Sequence, residues 1–121
     1  MYEAKNFKPE EFACKCGCGL IKTEDELLEK LDRARDIAGV PFRINSSTRC
    51  SDHNKNVGGS PSSLHMQGRA ADIHVADNAA RYKILKALFA VDMPRVLIYK
   101  NFIHADIAGE GKQGEISLWM G

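Results

Sequence analysis

The sequence predicts an α+β fold, in which a small, mostly antiparallel sheet packs with helices. Apolar residues recur at helical spacing in two segments. Short runs that alternate apolar with polar residues, or are apolar throughout, lie between and after those segments, most of them toward the C-terminus. A chain of 121 residues has room for one core of this kind, so we expect a single domain over residues 1–121.

The first third of the chain predicts a short helical turn and one amphipathic helix. The proline of residues 8–12 suits the first position of a helical turn, and a glycine- and cysteine-rich loop follows. Thr23 and Glu26 have the spacing of a capping box, which predicts that the long helix begins there, and Gly39 predicts its end. The residues expected on its buried stripe are Leu27, Leu28, Leu31, Ala34, Ile37 and Ala38.

The middle of the chain predicts two strands separated by a long loop. Alternation over residues 42–46 and an apolar run over residues 70–75 are typical of strands, and the second is expected to be central. Residues 47–66 have almost no apolar period and are rich in Ser, Asn and Gly, which predicts a loop. A loop this long in a small domain commonly carries function.

A second helix and three further strands complete the predicted fold. Asp77 or Asn78 supplies the N-cap of the helix, which has to end before Pro94. The strands are expected over residues 95–99, 102–107 and 115–119, with a glycine-rich turn before the last one. Tyr82, Leu85, Leu88 and Phe89 are expected to share one face of this helix. The larger side chains expected in the core are Leu27, Leu31, Tyr82, Leu85, Phe89 and Trp119.

Charge and composition exclude several classes of function. Lys and Arg number 17 against 16 Asp and Glu, so the formal net charge of +1 provides no basic field for a nucleic acid. No window approaches the roughly 18 consecutive apolar residues of a membrane span, so we expect no membrane insertion. The polar N-terminus has no secretory leader, which predicts synthesis in the cytoplasm.

The four cysteines form a pattern of their own. Cys14, Cys16 and Cys18 lie close together and Cys50 is distant, a spacing that differs from the C-x-x-C pairs of zinc knuckles. Cysteines two residues apart do not readily bridge each other, whereas each of the three is free to pair with Cys50. A structural role as a disulfide or as buried thiols is favoured, and a second metal site is the alternative. A catalytic thiol is disfavoured because no histidine is paired with it.

Two histidines and one aspartate indicate a metal site. His65 lies at the end of the predicted loop, Asp72 on the strand that follows, and His104 in the middle of a later strand. Two imidazoles and one carboxylate are what a catalytic zinc takes from a protein, leaving a fourth position for water. The same donors suit non-haem iron. In many iron oxygenases, however, a His-x-Asp pair precedes the distant histidine. Here His104-Ala105-Asp106 has no histidine after it, so zinc is favoured.

Two further side chains are expected on the same faces of the predicted strands as His104 and Asp72. Asp106 follows His104 by the two-residue period of a strand, and therefore shares its face. It is expected to be either a general base or the carboxylate that orients an imidazole, and the second role is favoured. His74 shares the face of Asp72 by the same period and is the rival metal ligand.

Three stretches of the sequence resemble one known family. Residues 63–73 read SLHMQGRAADI, which is similar to the S-x-H-x-x-G-x-A-x-D-[IL] signature of zinc D-alanyl-D-alanine carboxypeptidases. Residues 47–54 read STRCSDHN and are followed by two glycines, and residues 102–106 read FIHAD; both resemble flanking motifs of that family. The group also contains phage L-alanyl-D-glutamate endopeptidases and shares its fold with the hedgehog signalling domain.

The resemblance implies a zinc peptidase, with Zn²⁺ as cofactor, that acts on the stem peptides of peptidoglycan. It implies that the zinc ligands are His65, Asp72 and His104. Arg49 matches the arginine that holds the substrate carboxylate or polarises the scissile carbonyl, which suits a guanidinium. The matched stretches also contain His53 and Ser63, which are the further candidates for substrate contact, although His53 is expected first to hydrogen-bond within its loop.

This sequence departs from the family at the position where members carry the general base. Members usually place Glu, Asp or His shortly before the last ligand, whereas residues 100–102 here are Lys, Asn and Phe. Asp106, Glu110 and Glu115 are the remaining acidic candidates. The missing base keeps open the alternative of a non-catalytic zinc-binding recognition module of the same fold. A second alternative is a protein-interaction or zinc-stabilised module built on the cysteines. We expect a monomer that acts at the bacterial cell wall, and the small size and missing leader favour a phage or prophage lysis or tail protein.

Overall fold

A five-stranded sheet positions the residues singled out above. The computed structural model describes residues 2–107 and 115–118, the last four as backbone only. In sheet order the strands are β1, β2, β4, β3 and β5; the first four pair antiparallel and β5 runs parallel to β3. Their ranges are β1 Ile44–Ser46, β2 Ala70–His74, β3 Arg95–Ile98, β4 Phe102–Asp106 and β5 Glu115–Leu118. The predicted α+β class with a mostly antiparallel sheet is confirmed.

Within the described residues three helices accompany the sheet, namely α1 Asp25–Ala38, α2 Ser51–Asn56 and α3 Asn78–Ala90. Short 3₁₀ turns lie at Pro9–Phe12 and Leu64–Gln67, the first of them as predicted from its proline. Helices α1 and α3 pack against each other, and their buried side chains form one apolar core with those of the sheet. Among the described residues, no helix is long and apolar enough to cross a membrane.

The start of α1 differs from the predicted capping box. The helix begins at Asp25 with Glu24 as N-cap, no side chain caps it, and the Thr23 hydroxyl is buried without a hydrogen-bond partner. Instead, the backbone N–H of Glu24 donates to the carbonyl of Gly68 at 2.9 Å, and its carboxylate accepts from Arg69 at 2.8 Å. Tertiary contacts therefore set this helix end, while Gly39 closes the other end as predicted, with φ 69°.

The buried faces of the two long helices differ from those predicted. Ile37 is 52% exposed, because it lies about 80° around α1 from Leu27 at 3.6 residues per turn. On α3, Tyr82 and Phe89 are 66% and 48% exposed, so their assignment to the core was wrong. The side chains that α3 buries are smaller ones at helical spacing, Ile84, Ala87 and Leu88.

The segment predicted as an unstructured loop contains two short helical elements. Helix α2 falls within residues 47–66, and the turn Leu64–Gln67 begins within them and ends one residue later. Side chains cap them: the Cys50 sulfur accepts from the backbone N–H of His53, and the Ser63 hydroxyl accepts from that of His65. Such elements bury too few apolar residues to leave a period in the sequence. The predicted core residue Trp119 and the glycine-rich turn before β5 lie outside the described residues.

Candidate active site

The register of two central strands brings Asp72 and His104 together. They are Cα partners in the antiparallel pairing of β2 with β4. Residues directly opposite each other on one face of a sheet contact through their side chains. The His104 Nδ1 atom accordingly lies 2.9 Å from the Asp72 Oδ1 atom.

His65 reaches the same place from the turn Leu64–Gln67. Its side chain is buried, and its Nδ1 lies 2.8 Å from the backbone carbonyl of Ser47. Because a carbonyl only accepts, that contact places the proton on Nδ1 and leaves Nε2 with a lone pair. The Nε2 atom faces Asp72 Oδ1 at 3.4 Å, so His65 is oriented as a metal ligand would be.

A glycine makes this convergence sterically feasible. Gly68 joins the turn that carries His65 to strand β2, and its φ of 71° is in the left-handed region. A Cβ atom at this position would collide with the carbonyl oxygen of Lys22. The glycine of the signature motif therefore allows both a left-handed turn and a close approach of two backbone segments.

The three side chains form a group that suits a divalent metal. One ligand atom from each of His65, Asp72 and His104 lies within 4.8 Å of the others. The donor set of two imidazole nitrogens and a carboxylate oxygen is the one that zinc accepts with one coordination position left open. The rival His74 lies two residues along β2 from Asp72, opposite Phe102, and is not part of this group.

The other ring nitrogen of His104 is held by Asp106. The two atoms, Nε2 and Asp106 Oδ2, are 2.7 Å apart, and Asp106 is completely buried. The same Oδ2 accepts from the Arg95 guanidinium at 2.9 Å. Asp106 therefore lies on the opposite side of the imidazole from Asp72, where it fixes the ring orientation.

Arg49 lies beside the three-residue group. Its guanidinium Nη2 atom is 3.5 Å from Asp72 Oδ2, while Nε and Nη1 donate to Ser46 and Asn54 at 3.2 and 3.3 Å. The backbone N–H of Arg49 also donates to the carbonyl of His65 at 3.1 Å. A Cβ atom on Gly59 would collide with the Asn54 amide, so this glycine permits the packing that supports Arg49.

Residues 5–106 match the family model described as peptidase M15. The chain belongs to the peptidase M15 family. The match spans most of the chain and includes Arg49, the three clustered residues and Asp106, and it confirms the family resemblance found in the sequence. Peptidases of the M15 family are metal-dependent, and the fold described above is consistent with theirs. A comparison with curated proteins gives no match.

The charge state of this M15 site follows from its hydrogen bonds. Burial raises the pKa of Asp72, but its contacts with the His104 and His65 rings outweigh this and hold that pKa well below the usual range. Burial lowers the pKa of His104, but its hydrogen bonds to Asp106 and Asp72 outweigh this and raise the pKa above 6.5. The low pKa keeps Asp72 ionised, as a metal ligand requires, whereas the raised pKa of His104 means that a metal ion has to displace the proton on its Nδ1.

The remaining predicted site residues have different surroundings in the M15 domain. Ser63 caps the turn that carries His65, so its hydroxyl has a structural contact in addition to any with substrate. His53 lies on α2, where its backbone N–H donates to the Cys50 sulfur. Glu110 lies outside the described residues, and only the backbone of Glu115 is described, at the start of β5.

Two residues of the M15 site were missed from the sequence. Arg95 contacts Asp106, and Asn54 supports Arg49. The signal for Arg95 was a charged residue opening an otherwise apolar strand, since a partly buried cation requires a partner. Asn54 lies in one of the motifs that resemble the family, but no role was predicted for it, because its contact with Arg49 depends on how α2 folds.

Proposed function

We propose that this M15 protein is a zinc peptidase that hydrolyses an amide bond in the stem peptides of peptidoglycan. The observation that carries the proposal is the convergence of His65, Asp72 and His104 beside the guanidinium of Arg49. The two imidazoles and the carboxylate would hold the metal. A zinc ion bound there supplies a Lewis acid that polarises a carbonyl and makes a water molecule more acidic.

The chain prepares its own ligands for that metal. The Ser47 carbonyl keeps the proton of His65 on Nδ1 and presents Nε2 to the site. On His104 the arrangement is reversed: Asp106 accepts the Nε2 proton and Nδ1 faces the site. Ligands that are already oriented lose little conformational freedom on binding, which favours affinity for the metal.

Arg49 is proposed to position the substrate. Stem peptides carry carboxylates, and a guanidinium presents a planar fork of donors that matches a carboxylate or a developing oxyanion. The half-buried location of Arg49, next to a charged Asp72, makes such hydrogen bonds stronger than they would be in water. The hydrogen bonds that Arg49 donates to Asn54 and Ser46 limit the rotation of the fork.

We assign Asp106 a positioning role rather than that of the general base. Its Oδ2 is occupied by Arg95 and by the Nε2 atom of His104, and the His104 ring separates it from the side of the site that Asp72 faces. A general base has to reach the attacking water directly or through one further water. Glu110 and Glu115 remain the acidic candidates for that step.

Digestion of purified peptidoglycan, followed by mass spectrometry, tests the proposal. Fragments are expected with zinc present, and a chelator or the substitution His65→Ala is expected to abolish them. Free D-alanine would identify a carboxypeptidase, whereas a cut between L-alanine and D-glutamate would identify an endopeptidase. His74→Ala is the matched control, since this histidine lies close in sequence but outside the group. Full hydrolysis by His65→Ala would refute the proposal.

The same experiment distinguishes the alternative of a recognition module. Its support is the sequence just before His104, where Lys100, Asn101 and Phe102 provide no general base at neutral pH. A module of this kind would hold zinc and bind muropeptides without releasing any fragment. That result, obtained with full metal occupancy, would replace the peptidase by a zinc-binding recognition domain of the M15 fold.

A further inference from the structure

Four cysteines from two distant segments meet next to the segment that carries Arg49. Cys14, Cys16 and Cys18 come from the loop after the first 3₁₀ turn, and Cys50 precedes α2. All four are free thiols, and their sulfur atoms lie within 4.8 Å of one another. None of them belongs to the group formed by the two histidines and Asp72.

The sulfur spacings match a shared metal better than a disulfide. The distances are 3.4 Å from Cys14 to Cys16, 3.8 Å from Cys14 to Cys50 and 3.7 Å from Cys16 to Cys50. Four sulfurs around a tetrahedral zinc, each about 2.3 Å from it, are separated by about 3.8 Å. A disulfide would draw one pair to about 2.05 Å and leave the others apart. The near-equal edges of this triangle are those of a tetrahedral face.

The backbone around the cysteines is arranged to support thiolates. The N–H of Cys50 donates to the Cys14 sulfur and the N–H of His53 donates to the Cys50 sulfur, both at 3.4 Å. Such donors stabilise negative charge on sulfur and orient it toward the metal. Gly17 and Gly19, with φ of 90° and 83°, allow the loop to fold back so that three of its cysteines converge.

We propose that Cys14, Cys16, Cys18 and Cys50 bind one Zn²⁺ as a closed tetrathiolate site with a structural role. Soft thiolates select zinc among the common divalent metals, and four protein ligands leave no position for water or substrate. Each thiol releases its proton as it becomes a ligand, so binding is linked to pH. This site is separate from the proposed catalytic metal and stands whether or not the protein is a peptidase.

The position of the tetrathiolate site links it to Arg49. Cys50 follows Arg49 directly, and the preceding Thr48 donates its backbone N–H to the carbonyl of Phe12 at 3.1 Å. A zinc ion that joins Cys50 to the loop after Phe12 would therefore hold this segment in place. Loss of the ion is expected to loosen the backbone that carries the guanidinium, without removing any ligand of the second metal.

Metal analysis of the full chain, purified under reducing conditions, tests the inference. The wild-type protein is expected to carry two zinc ions, Cys16→Ser and His65→Ala one each, and the double variant none. Cobalt substitution identifies the ion that remains. The intense thiolate-to-cobalt charge-transfer bands should persist in His65→Ala and disappear in Cys16→Ser. Cys16 is exposed, so its replacement by serine leaves no cavity in the core.

Thiol titration supplies a readout that needs no variant. The four thiols of the native protein should react slowly with a disulfide reagent until a strong chelator is added, and all four should then react. The inference is overturned if the thiols react fast in zinc-loaded protein, if fewer than four thiols are found after unfolding without reductant, or if the cysteines hold iron. A protein that lacks peptidase activity but shows the cobalt–thiolate bands would refute only the proposed function.

Discussion

The Nε2 atom of His104 lies 2.7 Å from Oδ2 of Asp106, a carboxylate with no exposure to solvent. On its other side, the same ring presents Nδ1 to Asp72. The imidazole is thus held between two carboxylates on neighbouring strands, one facing the proposed metal and one behind it. Outer carboxylates of this kind raise the basicity of a ligating histidine and fix its ring.

Asp106→Asn is expected to weaken metal binding without removing a ligand. The amide carries no charge to stabilise the imidazole, and it has to satisfy both His104 and Arg95. We expect zinc affinity, measured by competition with a chelator, to fall about 10- to 100-fold. Asp52→Asn, an exposed change on α2, is the control and should leave the affinity unchanged. Equal affinities for the two variants would contradict the positioning role of Asp106.

Arg49→Lys is expected to slow peptide hydrolysis while the metal content stays the same. A lysine keeps the charge but loses the planar fork that matches a carboxylate. Loss of a hydrogen bond to a charged group, about 1.5–3 kcal/mol, corresponds to a decrease of about 10- to 100-fold in kcat/KM. Arg43→Lys, at an exposed position just before β1, is the matched control. An unchanged kcat/KM in Arg49→Lys would exclude Arg49 from substrate positioning.

Gly68→Ala and Gly39→Ala separate backbone strain from steric collision. Both glycines have a φ close to 70°, so an alanine at either position costs about 1–2 kcal/mol in the left-handed region. Space is open around Gly39, whereas a Cβ on Gly68 meets the Lys22 carbonyl. We expect urea unfolding to show a clearly larger loss of stability for Gly68→Ala, together with loss of the metal held by His65. Equal losses would show that the collision is relieved by a shift of the backbone.

Asp32→Asn is expected to lower stability at neutral pH and to matter less in acid. The Asp32 carboxylate accepts hydrogen bonds from the Tyr2 hydroxyl and from the backbone N–H groups of Lys5 and Asn6, at 2.6–2.8 Å. Burial raises the pKa of Asp32, but these hydrogen bonds outweigh it and lower the pKa below 3.8. The folded state therefore binds this proton less tightly than the unfolded state does.

The sign of the pH effect follows from linkage. The contribution of Asp32 is fully present above the unfolded pKa of about 3.9 and is lost as the pH falls through the lower folded value. Urea unfolding at pH 7 should show a loss of about 1–3 kcal/mol for Asp32→Asn, and the difference from wild type should shrink toward pH 3. A difference that stays constant over this range would contradict the assignment.

Local sequence patterns correctly predicted those element boundaries that are set by residues close together in the chain. The proline of the first turn, Gly39 at the end of α1 and Asp77 at the start of α3 act through their own backbone or their nearest neighbours. The buried face of α3 was predicted only in part: Leu88 is buried as expected, but the aromatic Tyr82 and Phe89 were weighted above Ile84. Which face of a helix is buried depends on what packs against it, and composition alone does not decide that.

For the site, the sequence by itself determined the donor types, their order and the strand period that puts His104 and Asp106 on one face. Only the tertiary structure decided that β2 pairs with β4 in the register that joins Asp72 to His104, that Asp106 lies behind the ring, and that Cys50 meets the N-terminal cysteines. The physical reason is the separation along the chain over which each effect acts. Alternation and capping act over a few residues, whereas register and convergence depend on the packing of segments far apart in the chain.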